Sequence, residues 1–199
     1  MSLVLHLRKM ARNNAWSNCK LHAACLKLPG VEFTATRTGY FQSIHATLNH
    51  ILSVDHYYMD ALTGGGRGPT SFTAFVPHAT MTDLATAQAA SDRRLIWFCD
   101  ALTEQASAAS IQTDRGKAGI FLERCDDLLA HLFQHQIHHR GQVHNMLSGT
   151  SVAPPQLDEY FLAFDVAERA KDIAALGIGG PESVTPPQAT AVRTPNCLN

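Results

Sequence analysis

The sequence predicts an all-α domain with four long helices and a shorter helical segment after them. Apolar residues recur at spacings of three and four in four long segments, which is the period of an amphipathic helix. Glycine and proline mark the boundaries between these segments. The length of 199 residues suits one domain with a substantial core, and four such helices suggest a bundle.

The first two helices are predicted over residues 2–28 and 39–63. A Pro-Gly pair at 29–30 ends the first, and three consecutive glycines end the second, because these residues disfavour a helix interior. The β-branched and polar residues of 31–38 indicate a loop. Residues 67–80 are expected to form a longer connection.

The third and fourth helices are predicted over residues 82–108 and 123–147. Thr82-Asp83 is a suitable N-terminal cap for the third, since both side chains accept hydrogen bonds from backbone N–H groups. Residues 109–122 between them are compatible with either a short hairpin or a long loop.

The C-terminal part of the chain contains one more helical segment, predicted over 156–176 after Pro154 and Pro155. Residues 1–176 are therefore expected to form one domain. The remaining residues, 177–199, are rich in glycine and proline and contain few apolar residues for a core, so this tail is predicted to be disordered.

Composition argues against several classes of protein. The formal net charge is -1 and no long basic run is present, which disfavours nucleic acid and membrane-surface binding. The five cysteines include no pair at CxxC spacing, which argues against a disulfide framework and a thiolate zinc site. No signal-type apolar region and no membrane-length apolar run is evident, so we expect a cytoplasmic protein.

Histidines are concentrated in the fourth predicted helix, within LAHLFQHQIHHRGQVHNML at 129–147. His135 and His139 are four residues apart, so they lie on one face of a helix and can reach one metal ion. His131 lies one turn earlier on the same stripe, and His138 borders it. The same spacing also suits a solvated helix face, and that interpretation stays open.

A metal site of this kind needs at least one further ligand from another helix. The second predicted helix contains His45, His50 and His56. His50 has the apolar neighbours Leu48, Ile51 and Leu52, which favours an inward position. A hydrogen-bonded core histidine would fit that setting equally.

Three stretches of the sequence resemble the DinB family over roughly residues 8–165. LNHILSVDHYYMDALTG resembles the family's second helix, and HLFQHQIHHRGQVHNML resembles its fourth, with HxxxH followed by RGQ. The segment MARNNAWSNCKLHAAC, with Trp16 and Asn18, resembles its first helix. The resemblance implies an antiparallel four-helix bundle of the DinB type, often dimeric, with three histidines that bind a divalent ion such as nickel or zinc.

The residues of this chain that match the metal ligands implied by the resemblance are His50, His135 and His139. His138 and His131 stay open as substitute or supporting residues. Arg140 and Gln142 match the family's RGQ, with Arg140 interpreted as the partner of a carboxylate at the bundle edge. Asp55 matches an acidic position after His50 and is interpreted as structural.

The resemblance also leads to hypotheses about function. One is a metal-dependent thiol S-transferase or detoxifying enzyme that acts on a low-molecular-weight thiol and an electrophilic small molecule. The alternative is a non-catalytic, metal-binding stress-response protein in which the ion stabilises the bundle or a dimer. A DNA-binding role is disfavoured by the charge. A homodimer is expected, with Trp16 and Trp97 as candidate interface anchors, although both fit a core position better.

Overall fold

The structure, a computed structural model, describes residues 2–180 and is mostly helical. The helices in chain order are Leu3–Cys25 (α1), Gly30–Thr34 (α2), Ile44–Leu62 (α3), Thr70–Thr73 (α4), Met81–Ala101 (α5), Glu104–Ser107 (α6), Cys125–Leu147 (α7) and Val166–Leu176 (α8). Two strands, Ser110–Asp114 (β1) and Ile120–Arg124 (β2), lie between α6 and α7. The all-α prediction is therefore right for most of these residues, and the two-stranded sheet is an addition.

The four long helices α1, α3, α5 and α7 each pack against two others, since α1 and α3 both contact α5 and α7. One apolar cluster joins the N-terminal halves of α1 and α7 to the C-terminal halves of α3 and α5; its members include Leu7, Tyr58, Leu95 and Leu129. A second cluster joins the opposite halves and includes Leu21, Leu48, Leu84 and Val143. Thus α1 and α7 run in one direction, and α3 and α5 run in the other.

This arrangement explains the long connection between α3 and α5. Two helices that run in the same direction require the chain to return along the length of the first before it enters the second. Residues 63–80 make this return, and they contain the short helix α4. The expected loop at 67–80 is therefore a connection with one helical turn.

Helix starts are determined by serine and threonine caps. The Ser43 side chain accepts a hydrogen bond from the backbone N–H of Ala46, so α3 begins at Ile44 and not near residue 39. Thr80 caps α5 by accepting from the N–H of Asp83, so the predicted cap at Thr82-Asp83 is wrong.

The segment between α6 and α7 forms a hairpin, which is one of the two alternatives that the sequence left open. Strands β1 and β2 pair antiparallel, with Ser110 opposite Arg124 and Asp114 opposite Ile120. The Tyr57 hydroxyl donates to the Asp114 backbone carbonyl at 2.8 Å, which attaches the hairpin to α3. The expected third helix ends at 101 because Leu102 is extended and Thr103 then caps the separate helix α6.

The end of the described chain packs on α1. Trp16 is buried and its indole Nε1 donates to Asp172 Oδ2 on α8 at 2.8 Å, which identifies Trp16 as a core residue. Arg12 Nε donates to the carbonyl oxygens of Ile178 and Gly179 at 3.1 and 3.2 Å. The rest of the predicted disordered tail, 181–199, lies outside the described residues. Between residues 2 and 180, no helix has the length and apolar character needed to cross a membrane.

Candidate metal centre

Three histidine rings meet between α3 and α7. His50 comes from α3, and His135 and His139 come from α7. Their candidate ligand atoms all lie within 4.8 Å of one another, and the Nε2 atoms of His50 and His135 are 3.0 Å apart. His139 is buried, and the other two are half-buried. The structure therefore brings together the three residues that the sequence predicted.

The packing of α3 against α7 explains this convergence. The two helices run in opposite directions, so the N-terminal half of α3 lies beside the C-terminal half of α7. His135 and His139 are one turn apart, and their ring centroids are separated by 4.4 Å. His50 faces both, with ring centroids at 4.9 and 4.7 Å.

Gln142 determines which nitrogen of His139 faces the other rings. The Gln142 Oε1 atom lies 2.8 Å from His139 Nδ1 and can only accept a hydrogen bond, so Nδ1 carries the proton. The lone pair of His139 is then on Nε2. A hydrogen bond of this kind, from the second ring nitrogen of a ligand histidine, is usual in metal sites.

The two histidines that the sequence left open do not join the group. His138 is exposed, and its Nε2 atom lies 3.0 Å from Gln142 Nε2, which donates to it. His131 is exposed and contacts Tyr58, with ring centroids 5.2 Å apart. His138 therefore supports the amide that orients His139, and His131 lies on the outer side of His135.

The other histidines of α3 also point elsewhere. His45 Nε2 lies 2.9 Å from the backbone carbonyl of His78. His56 contacts Phe75, with ring centroids 5.8 Å apart, and lines a separate cavity. Of the three candidates on this helix, His50 is the one that reaches α7.

Phe41 covers the histidine cluster and was not identified from the sequence. Its ring stacks on His50 with centroids 4.1 Å apart, and it contacts the edge of His139 at 5.5 Å. Phe41 is not helical because the chain turns at Gln42, whose φ is 58°, before Ser43 caps α3. The sequence pattern placed Phe41 inside a helix, so only this turn reveals its position.

The electrostatic environment keeps all three rings neutral at pH 7. Burial, together with the repulsion that positive charge on His139 would exert, lowers the pKa of His50 to about 4 and that of His135 to about 3. Burial likewise lowers the pKa of His139, whereas the hydrogen bond that its Nδ1–H donates to Gln142 raises it. Neutral imidazoles offer lone pairs, which is the form that binds metal ions.

The geometry fits a divalent ion. Two nitrogens bound to one tetrahedral zinc ion at about 2.0–2.1 Å are separated by about 3.3 Å. The 3.0 Å between the Nε2 atoms of His50 and His135 needs a shift of only a few tenths of an ångström. The group is thus able to hold a metal ion, as the donor set predicts.

A buried polar network lies next to the cluster on α7. Gln136 donates to Asp55 and accepts from Arg140 Nη1 at 3.1 Å. Arg140 also donates to the side-chain oxygens of Asn14 and Asn18 on α1. Arg140 is 4% exposed, so its predicted place at the bundle edge is wrong. It reaches Asp55 through Gln136, which agrees with a structural role for Asp55.

A comparison with protein-family models matches residues 1–170 to the DinB family. No curated protein matches the chain. The matched range contains α1 to α7, all three clustered histidines, and the RGQ sequence that includes Arg140 and Gln142. Because the match covers most of the 199 residues, the chain belongs to the DinB family.

Proposed function

We propose that this protein binds one divalent metal ion through the Nε2 atoms of His50, His135 and His139. The convergence of three neutral imidazoles, with candidate ligand atoms within 4.8 Å of one another, carries this proposal. Imidazole nitrogen suits nickel and zinc, which are the ions we favour. The hydrogen bond from His139 Nδ1 to Gln142 supports it independently.

An ion in this position has room for a further ligand. Among residues 2–180, no fourth His, Cys, Asp or Glu belongs to the group, and three protein ligands with an open position are typical of catalytic zinc sites. A cavity of about 370 Å³ lies beside His135 and is lined by Tyr57, Tyr58, Phe72, Arg115 and His131. This cavity would admit a substrate to the ion.

The reaction that suits this arrangement is thiol S-transfer to an electrophilic small molecule. A divalent ion held by His50, His135 and His139 would lower the pKa of a thiol bound to it and would so supply a thiolate at neutral pH. The thiol proton passes to solvent, the sulfur forms a bond to the electrophilic carbon, and the leaving group departs with its electron pair. Phe41 and the aromatic residues of the cavity exclude water from one side of the site.

Arg115 supplies a binding group for the thiol. Its Nη2 atom pairs with both carboxylate oxygens of Glu123 at 2.9 and 2.7 Å, and Nη1 donates to the Tyr58 hydroxyl at 3.1 Å. These contacts hold the guanidinium at the cavity. Low-molecular-weight thiols such as glutathione carry carboxylates, which arginine recognises well.

A non-catalytic, stress-response role is the second candidate, and the position of the histidines between two helices supports it. The cluster joins α3 to α7, so an ion bound there would cross-link two long helices and stabilise the folded state. Under this alternative, metal removal lowers stability while no thiol is turned over.

We also propose that the long helices form an antiparallel four-helix bundle of the DinB type and that the protein is a homodimer. Trp97 is 54% exposed on α5, so its expected core position is wrong and it is available as an interface anchor. Sedimentation of the purified protein at micromolar concentration tests the dimer, and a monomer there contradicts it.

Metal analysis tests the proposed site. We expect about one nickel or zinc ion per chain in protein purified without chelators, and loss of that ion in His50→Ala and His139→Ala. His138→Ala is the matched control, because His138 is adjacent but exposed and is expected to leave the metal content unchanged. Equal metal content in the wild type and all three variants would contradict metal binding by these histidines.

An activity assay separates the two candidate functions. Metal-loaded protein is mixed with a fluorogenic electrophile and with glutathione, bacillithiol or mycothiol in turn. Turnover that disappears in His139→Ala and persists in His138→Ala supports the transferase. Metal binding without turnover of any thiol would contradict the transferase and support the stabilising role.

A further inference from the structure

A second cavity, of about 400 Å³, lies on another side of α3 from the histidine cluster. His56 lines it and follows His50 by six residues, which places the two residues about 120° apart around the helix axis. Its lining contains four cationic or potentially cationic side chains, one carboxylate and one hydroxyl: His56, Arg67, His78, Arg94, Asp60 and Ser71. The cavity is therefore polar and predominantly basic.

Four separate parts of the chain contribute to this cavity, and specific contacts hold them in place. Asp60 Oδ2 accepts a hydrogen bond from the Arg67 backbone N–H at 2.7 Å, which positions Arg67 at the rim. A Cβ on Gly65 would lie 2.0 Å from Asp60 Oδ1, so glycine is needed for this loop to close on Asp60. Asn49 Oδ1 accepts from the His78 backbone N–H at 2.8 Å and fixes the opposite wall.

Ser71 provides an independent indication of a ligand. Its side chain is in α4 and only 8% exposed, and its Oγ atom is buried without a hydrogen-bond partner among the described residues. A buried hydroxyl without a partner is energetically unfavourable, so such groups usually meet a ligand or a water molecule. Ser71 lines the same cavity as the two arginines.

We propose that this cavity binds a phosphate group through Arg67, Arg94, His56, His78 and Ser71. Donors that approach from four parts of the chain suit an anion with several oxygens, and arginine pairs with phosphate in a bidentate manner. Burial, and then the positive charge of Arg94, His78 and Arg67, lowers the pKa of His56, and a bound anion would offset that positive charge. Asp60 accepts from the Arg67 backbone N–H and also pairs with the exposed Arg67 guanidinium at 3.8 Å, so Arg67 offsets part of its negative charge.

Calorimetric titration of metal-free, full-length protein with inorganic phosphate tests the proposal. We expect saturable binding that is weakened about tenfold in Arg94→Met, since one charge-assisted hydrogen bond is lost. Arg93→Met is the matched control, because Arg93 is adjacent on α5 and does not line this cavity. His50→Gln is expected to bind phosphate normally, which separates this cavity from the histidine cluster.

Ser71→Ala provides a second variant that does not depend on charge. We expect weaker phosphate binding together with unchanged or higher thermal stability, because the variant removes a hydroxyl that lacks a partner. A merely structural hydroxyl would leave phosphate binding unchanged. Such a result would contradict the assignment of Ser71.

Three ligands distinguish the possible sources of the anion. Tighter binding of glycerol phosphate than of inorganic phosphate identifies a phosphorylated small molecule, and the reverse order identifies free phosphate. Acetate that binds as tightly as phosphate overturns the proposal, as does an absence of saturation or an equal loss in Arg93→Met and Arg94→Met.

Discussion

Gln142 and His139 lie one turn apart on α7, and the amide oxygen of the first is 2.8 Å from the Nδ1 atom of the second. The other end of the same amide donates to His138 at 3.0 Å. Gln142 is therefore held by two histidines, of which only one faces the cluster. This pairing assigns different roles to the adjacent residues His138 and His139, of which the sequence had favoured His139 as the ligand and left His138 open.

Replacement of Gln142 tests this orienting role. In Gln142→Leu we expect metal affinity to fall about 10–100-fold, because His139 loses the hydrogen bond that fixes its tautomer. Competition with a chromogenic chelator measures the affinity. Gln134→Leu, an exposed position on the same helix, is the control, and a similar loss in both variants would argue against a specific role for Gln142.

Metal removal is expected to destabilise the protein. An ion that binds only the folded state adds about 2.7 kcal/mol to the free energy of unfolding at 100 times its dissociation constant. Chelation should therefore lower the melting temperature of the wild type and leave that of His50→Ala unchanged. A melting temperature that does not respond to chelation in the wild type contradicts metal binding to the folded state.

The buried network around Arg140 makes a separate contribution to stability. Arg140→Met leaves the side-chain oxygens of Asn14, Asn18 and Gln136 without this donor, and we expect a loss on the order of 3 kcal/mol in urea unfolding. Arg93→Met, a half-buried arginine on α5, is expected to have a much smaller effect. Comparable losses would indicate that the buried network is unimportant.

Burial of His22 is expected to lower the free energy of unfolding in acid, independently of the metal. Burial, with a further effect from Arg140, lowers the pKa of His22 to about 3, whereas an unfolded histidine titrates near about 6.5. Between these values the unfolded state binds the extra proton, so this contribution to stability is present above pH 6.5 and is lost as the pH falls.

Unfolding of His22→Gln at several pH values measures this contribution. Relative to the wild type, the variant should gain up to about 1.4 kcal/mol for each pH unit below 6.5. His6→Gln, an exposed histidine on the same helix, controls for the general loss of an imidazole. A difference between wild type and His22→Gln that stays constant with pH would exclude the buried neutral form.

Arg115 allows a test of substrate binding in the transferase proposal. In Arg115→Met we expect KM for a carboxylate-bearing thiol to rise about tenfold with a smaller change in kcat, because a charge-assisted contact to the thiol is lost. Arg124→Met is the control, since Arg124 pairs with Asp126 and does not line the cavity. An unchanged KM would show that the thiol does not contact Arg115.

The helices were largely predictable because each depends on local sequence. Periodic apolar residues located α1, α3, α5 and α7, and α7 ends at Leu147 as predicted. Boundaries were less predictable, as Ser43 and Thr80 show, because a cap depends on which side chain reaches a free N–H group. The choice between hairpin and loop at 109–122 also required the structure, since the strands are stabilised by contact with α3.

The sequence by itself determined that His135 and His139 share one face of a helix, because a spacing of four is a property of helical geometry. Apolar neighbours and the family resemblance favoured His50 over His45 and His56, but only the tertiary structure decided that its ring meets those of His135 and His139. That choice depends on the opposite directions of α3 and α7, which arise from burial of apolar surface between residues far apart in the chain. The position of Phe41 and the proposed phosphate cavity depend on the same non-local packing. A local sequence pattern does not reveal such packing.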